Sequence, residues 1–242
     1  MPADNTLLII PDVHGRKFWK EAVAKYPDLP TVFLGDYHDP YPYERISREY
    51  SLANFKEILE YARSHDNVTL LLGNHDLQYI FYPLNSCRFD LHNFGILREL
   101  FLNNLDLFRL AALRQMGDKT VLFSHAPVLP GWLDDVGISG SLEEIVAALN
   151  QLVAQLNVGL DFRDDAERKL WRMSRYRGGR CKYGSPIWAD DCEIEGNLLP
   201  CVDYEIFGHT QQDTEAKITD HWANLDVRRA FLLSADLKLR KI

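Results

Sequence analysis

Five short apolar runs in this chain each end on a side chain able to bind a metal or move a proton, and that recurrence constrains the fold most. Leu7 to Ile10 leads to Asp12 and His14, and Thr31 to Leu34 leads to Gly35, Asp36 and Asp39. Leu70 to Leu72 leads to Gly73, Asn74, His75 and Asp76. Val121 to Phe123 leads to Ser124 and His125, and Tyr204 to Phe207 leads to Gly208 and His209. A single polar residue leaving a strand is ordinary. Repetition of the pattern points to a layered α/β fold, because strands converge at their carboxyl ends and the loops beyond are free to carry ligand chemistry.

Between these runs the spacing turns helical. Phe18, Trp19, Ala22, Val23 and Tyr26 recur at helical period until Pro27, and Leu52, Phe55, Leu59 and Ala62 form the stripe of a helix from about Ile46 to Arg63. Pro40 and Pro42 enforce a loop after Asp36. Leu97, Phe101, Leu105, Phe108 and Ala112 extend a helical pattern from Phe94, with Gly117 placed as its stop. Ser141 and Glu144 make a capping box before Ile145, Leu149, Leu152 and Leu156, and a second short helix is expected from Ala166 to Met173. Ser174 to Pro200 has no period and reads as a functional loop or cap, while three β-rich runs around His209, Leu225 and Phe231 close the chain. The expected organisation is a single domain over 1–242 with an inserted, cap-like region at about 129–200.

The formal charge, 27 − 35 = −8, argues against a broad electrostatic grip on nucleic acid or on an anionic membrane. No apolar run approaches the ~20 residues of a membrane span, and Met1 to Asn5 lacks a basic start, so a cytoplasmic location is expected. Cys87, Cys181, Cys192 and Cys201 form no CxxC pair and read as reduced thiols. The three from Cys181 onward keep a structural metal or disulfide as the lesser alternative.

Asp12, His14, Asp36, Asn74, His125 and His209 are oxygen and nitrogen donors without a thiolate, a set suited to Mn, Fe or Zn. There are too many ligands for one tetrahedral ion and too few acids for a calcium cage. Two divalent or trivalent ions sharing a carboxylate is the economical arrangement, with Asp36 as the bridge and a water of lowered pKa between them. Such a site hydrolyses phosphoesters.

The motifs Asp12-x-His14, Gly35-Asp36-x-x-Asp39, Gly73-Asn74-His75-Asp76, Ser124-His125 and Gly208-His209-Thr210 resemble those of the calcineurin-type metallophosphoesterases, in the family's order. The short opening motif and Asp39 resemble the serine/threonine protein phosphatase branch and its bacterial diadenosine tetraphosphatase relatives. The resemblance implies a four-layer α/β/β/α sandwich. It also implies one metal on Asp12, His14 and Asp36, and another on Asp36, Asn74, His125 and His209. His75, oriented by Asp39, is implied as the proton donor to the leaving oxygen. Asp76 is left with two readings, support of the metal ligands or capping of the helix that follows.

The sequence also departs from that branch. Pro40 stands where a phosphate-binding arginine is expected, no arginine follows Asp76 until Arg88, and Gln211 replaces a second histidine common in diesterase relatives. The arginines Arg175, Arg177 and Arg180, beside Gly178 and Gly179, are the expected substitutes for the phosphate grip. The function expected is hydrolysis of a phosphomonoester, on a protein or a small molecule, or of a nucleotide phosphoanhydride. The alternatives are a diesterase or nuclease of the same superfamily, or a metal-dependent binding module without turnover. His38, His65, His92 and His221 read as surface or satisfied core histidines, His38 being the exception to watch because it lies in the Asp36 loop.

Overall fold

The computed structural model describes residues 6–81, 87–156, 160–200 and 202–242; Met1 to Asn5 and Cys201 lie outside the described residues. The elements in chain order are β1 Leu7–Ile10, α1 Phe18–Lys25, β2 Thr31–Phe33, α2 Arg48–Ser64, β3 Val68–Leu71, α3 Asn74–Phe81, α4 Phe94–Asn103 and β4 Phe108–Arg109. They continue as β5 Ala111–Met116, β6 Lys119–Ser124, α5 Pro130–Val136, α6 Leu142–Gln155, α7 Leu160–Leu170, β7 Tyr204–Phe207, β8 Lys217–Ile218, β9 Trp222–Asn224, β10 Phe231–Leu233 and β11 Leu239–Lys241. The fold class is the mixed α/β one expected, with two sheets accompanied by helices. Two compact units divide the chain, one formed by residues 1–108 and 228–242, the other by 109–227.

In the first unit the sheet runs β11-β10-β1-β2-β3-β4. Its centre is parallel, with Ile10 opposite Phe33 and Phe33 opposite Leu70, so the three strands stop at one edge. Every residue of β1 and β2 is buried, as expected of parallel strands. Helix α2 begins at the N-cap Ser47, whose Oγ accepts the Tyr50 N–H, and buries Leu52, Phe55, Ile58, Leu59 and Ala62. Phe55 stacks on Tyr37 at 5.4 Å between centroids, and the Tyr37 hydroxyl donates to the Leu71 carbonyl at 2.7 Å, which pins the loop after β2 to the core.

In the second unit the sheet runs β5-β6-β7-β9-β8. Strands β6 and β7 are parallel, with Phe123 opposite Ile206, so the chain leaves both at the same edge. Helix α6 carries the expected capping box, Ser141 with Glu144, and packs on β5; the Asn150 side chain accepts the Leu110 and Ala111 N–H groups and donates to the Ala111 carbonyl.

Three expectations fail in detail. The helix from Phe94 ends at Asn103, where the Asn104 amide donates to the Leu100 carbonyl, and the segment from Ala111 to Met116 is a strand paired antiparallel with β6. Gly117, at φ 62°, is therefore the first residue of a two-residue hairpin turn between Met116 and Lys119 and not a helix stop. The helix expected from Ala166 to Met173 runs from Leu160 to Leu170, because Met173 and Ser174 instead pair with Cys181.

Cys87, Cys181 and Cys192 are free thiols, and no helix among the described residues is long and apolar enough to cross a membrane.

Candidate metal centre

The loops leaving β1, β2 and β3 hold the first group of candidate ligands. One oxygen or nitrogen from each of Asp12, His14 and Asp36 lies within 4.8 Å of the others, and all three residues are buried. The His14 Nδ1 is 3.0 Å from the His38 carbonyl, which only accepts, so Nδ1 carries the proton and the Nε2 lone pair faces Asp36 Oδ2 at 3.5 Å. Burial, with His75, Arg88 and Arg16 nearby, holds His14 well below the usual imidazole range, in the neutral form a metal requires. Buried carboxylates without a cation would be costly, and this donor set fits a transition-metal ion.

Backbone strain accompanies the cluster. His14, Asp36 and Asp39 occupy the left-handed region, at φ 44°, 54° and 59°. Such conformations cost on the order of 1–3 kcal/mol each unless the surroundings hold them. Asp76 is part of what holds them: Oδ2 accepts the Asp36 and Gly73 N–H groups, each at 2.8 Å, and Oδ1 accepts the Tyr37 N–H at 3.0 Å. Asp76 therefore braces the ligand loop. Burial first, then the Asp36 charge, raises its pKa, while the three N–H donors work in the opposite direction. Asn74 is the first residue of α3 and is buried, and the His75 N–H donates to Asp36 Oδ1 at 3.0 Å.

The His75 ring stands edge-on to His14, with centroids 5.2 Å apart. Its Nδ1 donates to Asp39 Oδ2 at 2.9 Å, and Asp39 also accepts from the Gln78 amide and the Tyr79 hydroxyl. Burial lowers the His75 pKa, but Asp36, Asp39 and the Cys87 thiol outweigh it and hold the imidazole up at about 10. Arg88 lies against the other side of the ring, with Nη2 2.8 Å from His75 Nε2, Nη1 on the Asp39 carbonyl at 2.8 Å, and the guanidinium 3.7 Å from the Tyr41 ring centroid. The Arg88 guanidinium can only donate, so this contact belongs to the neutral imidazole with Nε2 accepting; the protonated His75 that the carboxylates favour would instead turn a second N–H against Arg88. An anionic oxygen placed between them would satisfy both donors.

The second unit holds the remaining candidates by itself. His125 follows β6 and His209, at φ 65°, follows β7; His125 Nε2 and His209 Nδ1 are 3.2 Å apart, and the Gly208 N–H donates to the His125 carbonyl at 2.9 Å. Glu205 on β7 is buried and supports the His125 loop, its Oε1 accepting the Val128 N–H at 2.7 Å and the Ser124 hydroxyl at 3.3 Å. Burial pushes the Glu205 carboxyl up to about 8. Among the three arginines singled out from the sequence, Arg177 donates to the hydroxyl of Thr210, the residue after His209, and pairs with Asp190 at 2.9 Å. Arg175 and Arg180 are exposed.

Arg88, Gln78, Tyr79 and Glu205 were not singled out from the sequence. Gln78 and Tyr79 stand three and four residues beyond His75 on α3, where side chains share its face, and Glu205 is a charge inside an otherwise apolar strand; both signals were there to read. Arg88 gave no such signal. His38 is a buried histidine satisfied on one side only, its Nε2 3.2 Å from Asp90 Oδ2 and its Nδ1 without a hydrogen-bond partner among the described residues.

No curated protein matches the chain in sequence. Solved structures that resemble it include hypothetical protein PH1004 from Pyrococcus horikoshii OT3, at 10% identity and TM-score 0.47, covering 98% of this chain and 86% of that one. A metallophosphoesterase from Sphaerobacter thermophilus is similar at 14% identity and TM-score 0.45, covering 98% of this chain and 87% of that one. Likenesses this distant carry no argument about function. The sequence profile of the calcineurin-like phosphoesterases, by contrast, matches residues 6–213. The chain thus belongs to the calcineurin-like phosphoesterase family, which implies metal-dependent hydrolysis of phosphoesters.

Proposed function

We propose that the protein is a dinuclear phosphatase acting on a phosphomonoester or a nucleotide-type phosphoanhydride. Asp12, His14 and Asp36 would hold one ion, and Asp36, Asn74, His125 and His209 the other. The observation that carries this reading is the buried triad Asp12, His14 and Asp36, in which His14 Nδ1 is committed to a carbonyl and Nε2 is turned toward a carboxylate. When bound, such ions supply positive charge for a phosphate and lower the pKa of water toward neutrality.

The chain's own residues do the rest. Asp39 fixes the His75 ring through Nδ1 so that Nε2 is directed at the substrate, where a protonated imidazole gives its proton to a poor leaving oxygen. Gln78 and Tyr79 hold Asp39 in turn. Arg88, propped by the Asp39 carbonyl and the Tyr41 ring, supplies the guanidinium that position 40 lacks, and a phosphate oxygen accepts from it and from His75 together. Arg177, beside the His209 loop, is the arginine of the 175–180 run best supported for a second contact.

The test is turnover of p-nitrophenyl phosphate, its bis ester, phosphopeptides and dinucleoside polyphosphates by the metal-loaded protein. Monoester or anhydride turnover exceeding that of the bis ester is expected. Preference for the bis ester would replace the reading with a diesterase, and absence of turnover on every substrate would refute it.

A further inference from the structure

A cavity of about 1060 Å³ opens in the first unit, lined by the start of α1, the turn before α2 and the residues leading into β10. Its lining side chains include six cations, Arg16, Lys17, Lys25, Arg45, Arg228 and Arg229, against two carboxylates, Glu21 and Glu44. Glu44 is already committed to Arg16 at 2.7 Å. An excess of cations in one cavity is notable in a chain whose formal charge is −8. Carboxylates are the commoner side chain here, yet this recess has gathered cations.

Two further features share the cavity. Ser47 and Tyr50 line it, so the N-terminal turn of the 17-residue α2 faces it with its positive dipole end. Phe18, Ala22, Ile46 and Ala230 give it an apolar wall. The volume is that of a small-molecule site. Arg16, only 8% exposed, also reaches out of the cavity, its Nη1 donating to the Asp12 carbonyl at 3.1 Å.

We propose that this cavity binds a small, multiply charged anion of phosphate type, gripped by guanidinium groups and the α2 N-terminus, at a site separate from the metal ligands. Guanidinium groups match phosphate oxygens in pairs, and a recess of one charge sign concentrates anions of the other. The proposal does not depend on the phosphatase reading.

The experiment is calorimetric titration of tripolyphosphate into the full chain, the Asp36→Asn variant, and Arg45→Glu/Arg229→Glu variants made in both backgrounds. Arg45 and Arg229 are exposed, and a thermal melt confirms that the reversed variants fold; Arg45→Gln/Arg229→Gln replaces them if they do not. Tripolyphosphate is expected to bind Asp36→Asn, and reversal in that background is expected to weaken the binding at least about tenfold, as loss of charge-assisted contacts does; the wild-type background shows any further binding at the metal ligands. Binding that is absent from Asp36→Asn, or that survives charge reversal in that background, would overturn the proposal. Failure of the phosphatase reading would instead show as absent metal or turnover with this binding intact.

Discussion

Glu205 offers a quantitative check on how the second unit holds the His125 loop. Its carboxyl is 2% exposed, is raised from an ordinary 4.5 to about 8, and bonds to the Val128 N–H and the Ser124 hydroxyl. A raised carboxyl pKa means the folded chain keeps a proton that the unfolded chain has lost. Stability from this group is therefore fully present below about pH 4.5 and is lost as the pH rises through about 8. Between pH 5.5 and 8.5 the change integrates over roughly 2.4 pH units, and at ~1.36 kcal/mol per unit it reaches about 3 kcal/mol as a ceiling. Glu205→Gln keeps the acceptor for Val128 and removes the titration. Urea unfolding of both proteins at pH 5.5, 7.0 and 8.5 should show the variant gaining on the wild type by about 2–3 kcal/mol across the range. A difference between the two that stays constant with pH would refute the burial argument, because groups common to both proteins cancel.

Other consequences fall on the first unit. Asp76→Asn can keep its carbonyl on Asp36 and Gly73 but turns an amide N–H₂ against the Tyr37 N–H, so unfolding measurements should show a loss of about 2–4 kcal/mol. A loss under about 1 kcal/mol would mean the carboxylate does not brace the loop as an anion. His75→Asn should slow phosphoserine-type substrates by about 10²–10⁴-fold while sparing metal content and, largely, p-nitrophenyl phosphate, whose leaving group scarcely needs a proton. Equal slowing of both substrates would remove His75 from proton donation. Arg88→Ala should raise KM and weaken inhibition by free phosphate with metal retained, whereas wild-type KM in that variant would leave the phosphate grip to Arg177.

The strand ends were legible because parallel strands buried on both faces leave apolar runs, and Ile10, Phe33 and Leu70 in register bring the residues after them to one edge. Helix α6 was legible for a different reason: its capping box is local. The spacing of Leu105, Phe108 and Ala112 misled because a segment of strand can keep helical intervals by chance, and only pairing with β6 decides between them. The stretch from Ser174 to Pro200 has no period because side chains organise it; Glu193 alone accepts from the Ser174 hydroxyl and the Gly184 and Asp190 N–H groups. Arg88 stayed hidden for a related reason. Its partners, the Asp39 carbonyl and the Tyr41 ring, are more than forty residues away along the chain, and nothing local marks such a contact.

The central claim is that the donors form one dinuclear set in which Asp36 serves both ions. Elemental analysis of the purified protein and of Asp36→Asn tests it most directly. Close to two transition-metal ions per chain are expected in the wild type, and both should be lost from the variant, because under the proposed arrangement Asp36 would be the one ligand common to both ions. A single ion in the wild type, or one ion kept at full occupancy in Asp36→Asn, would contradict the account.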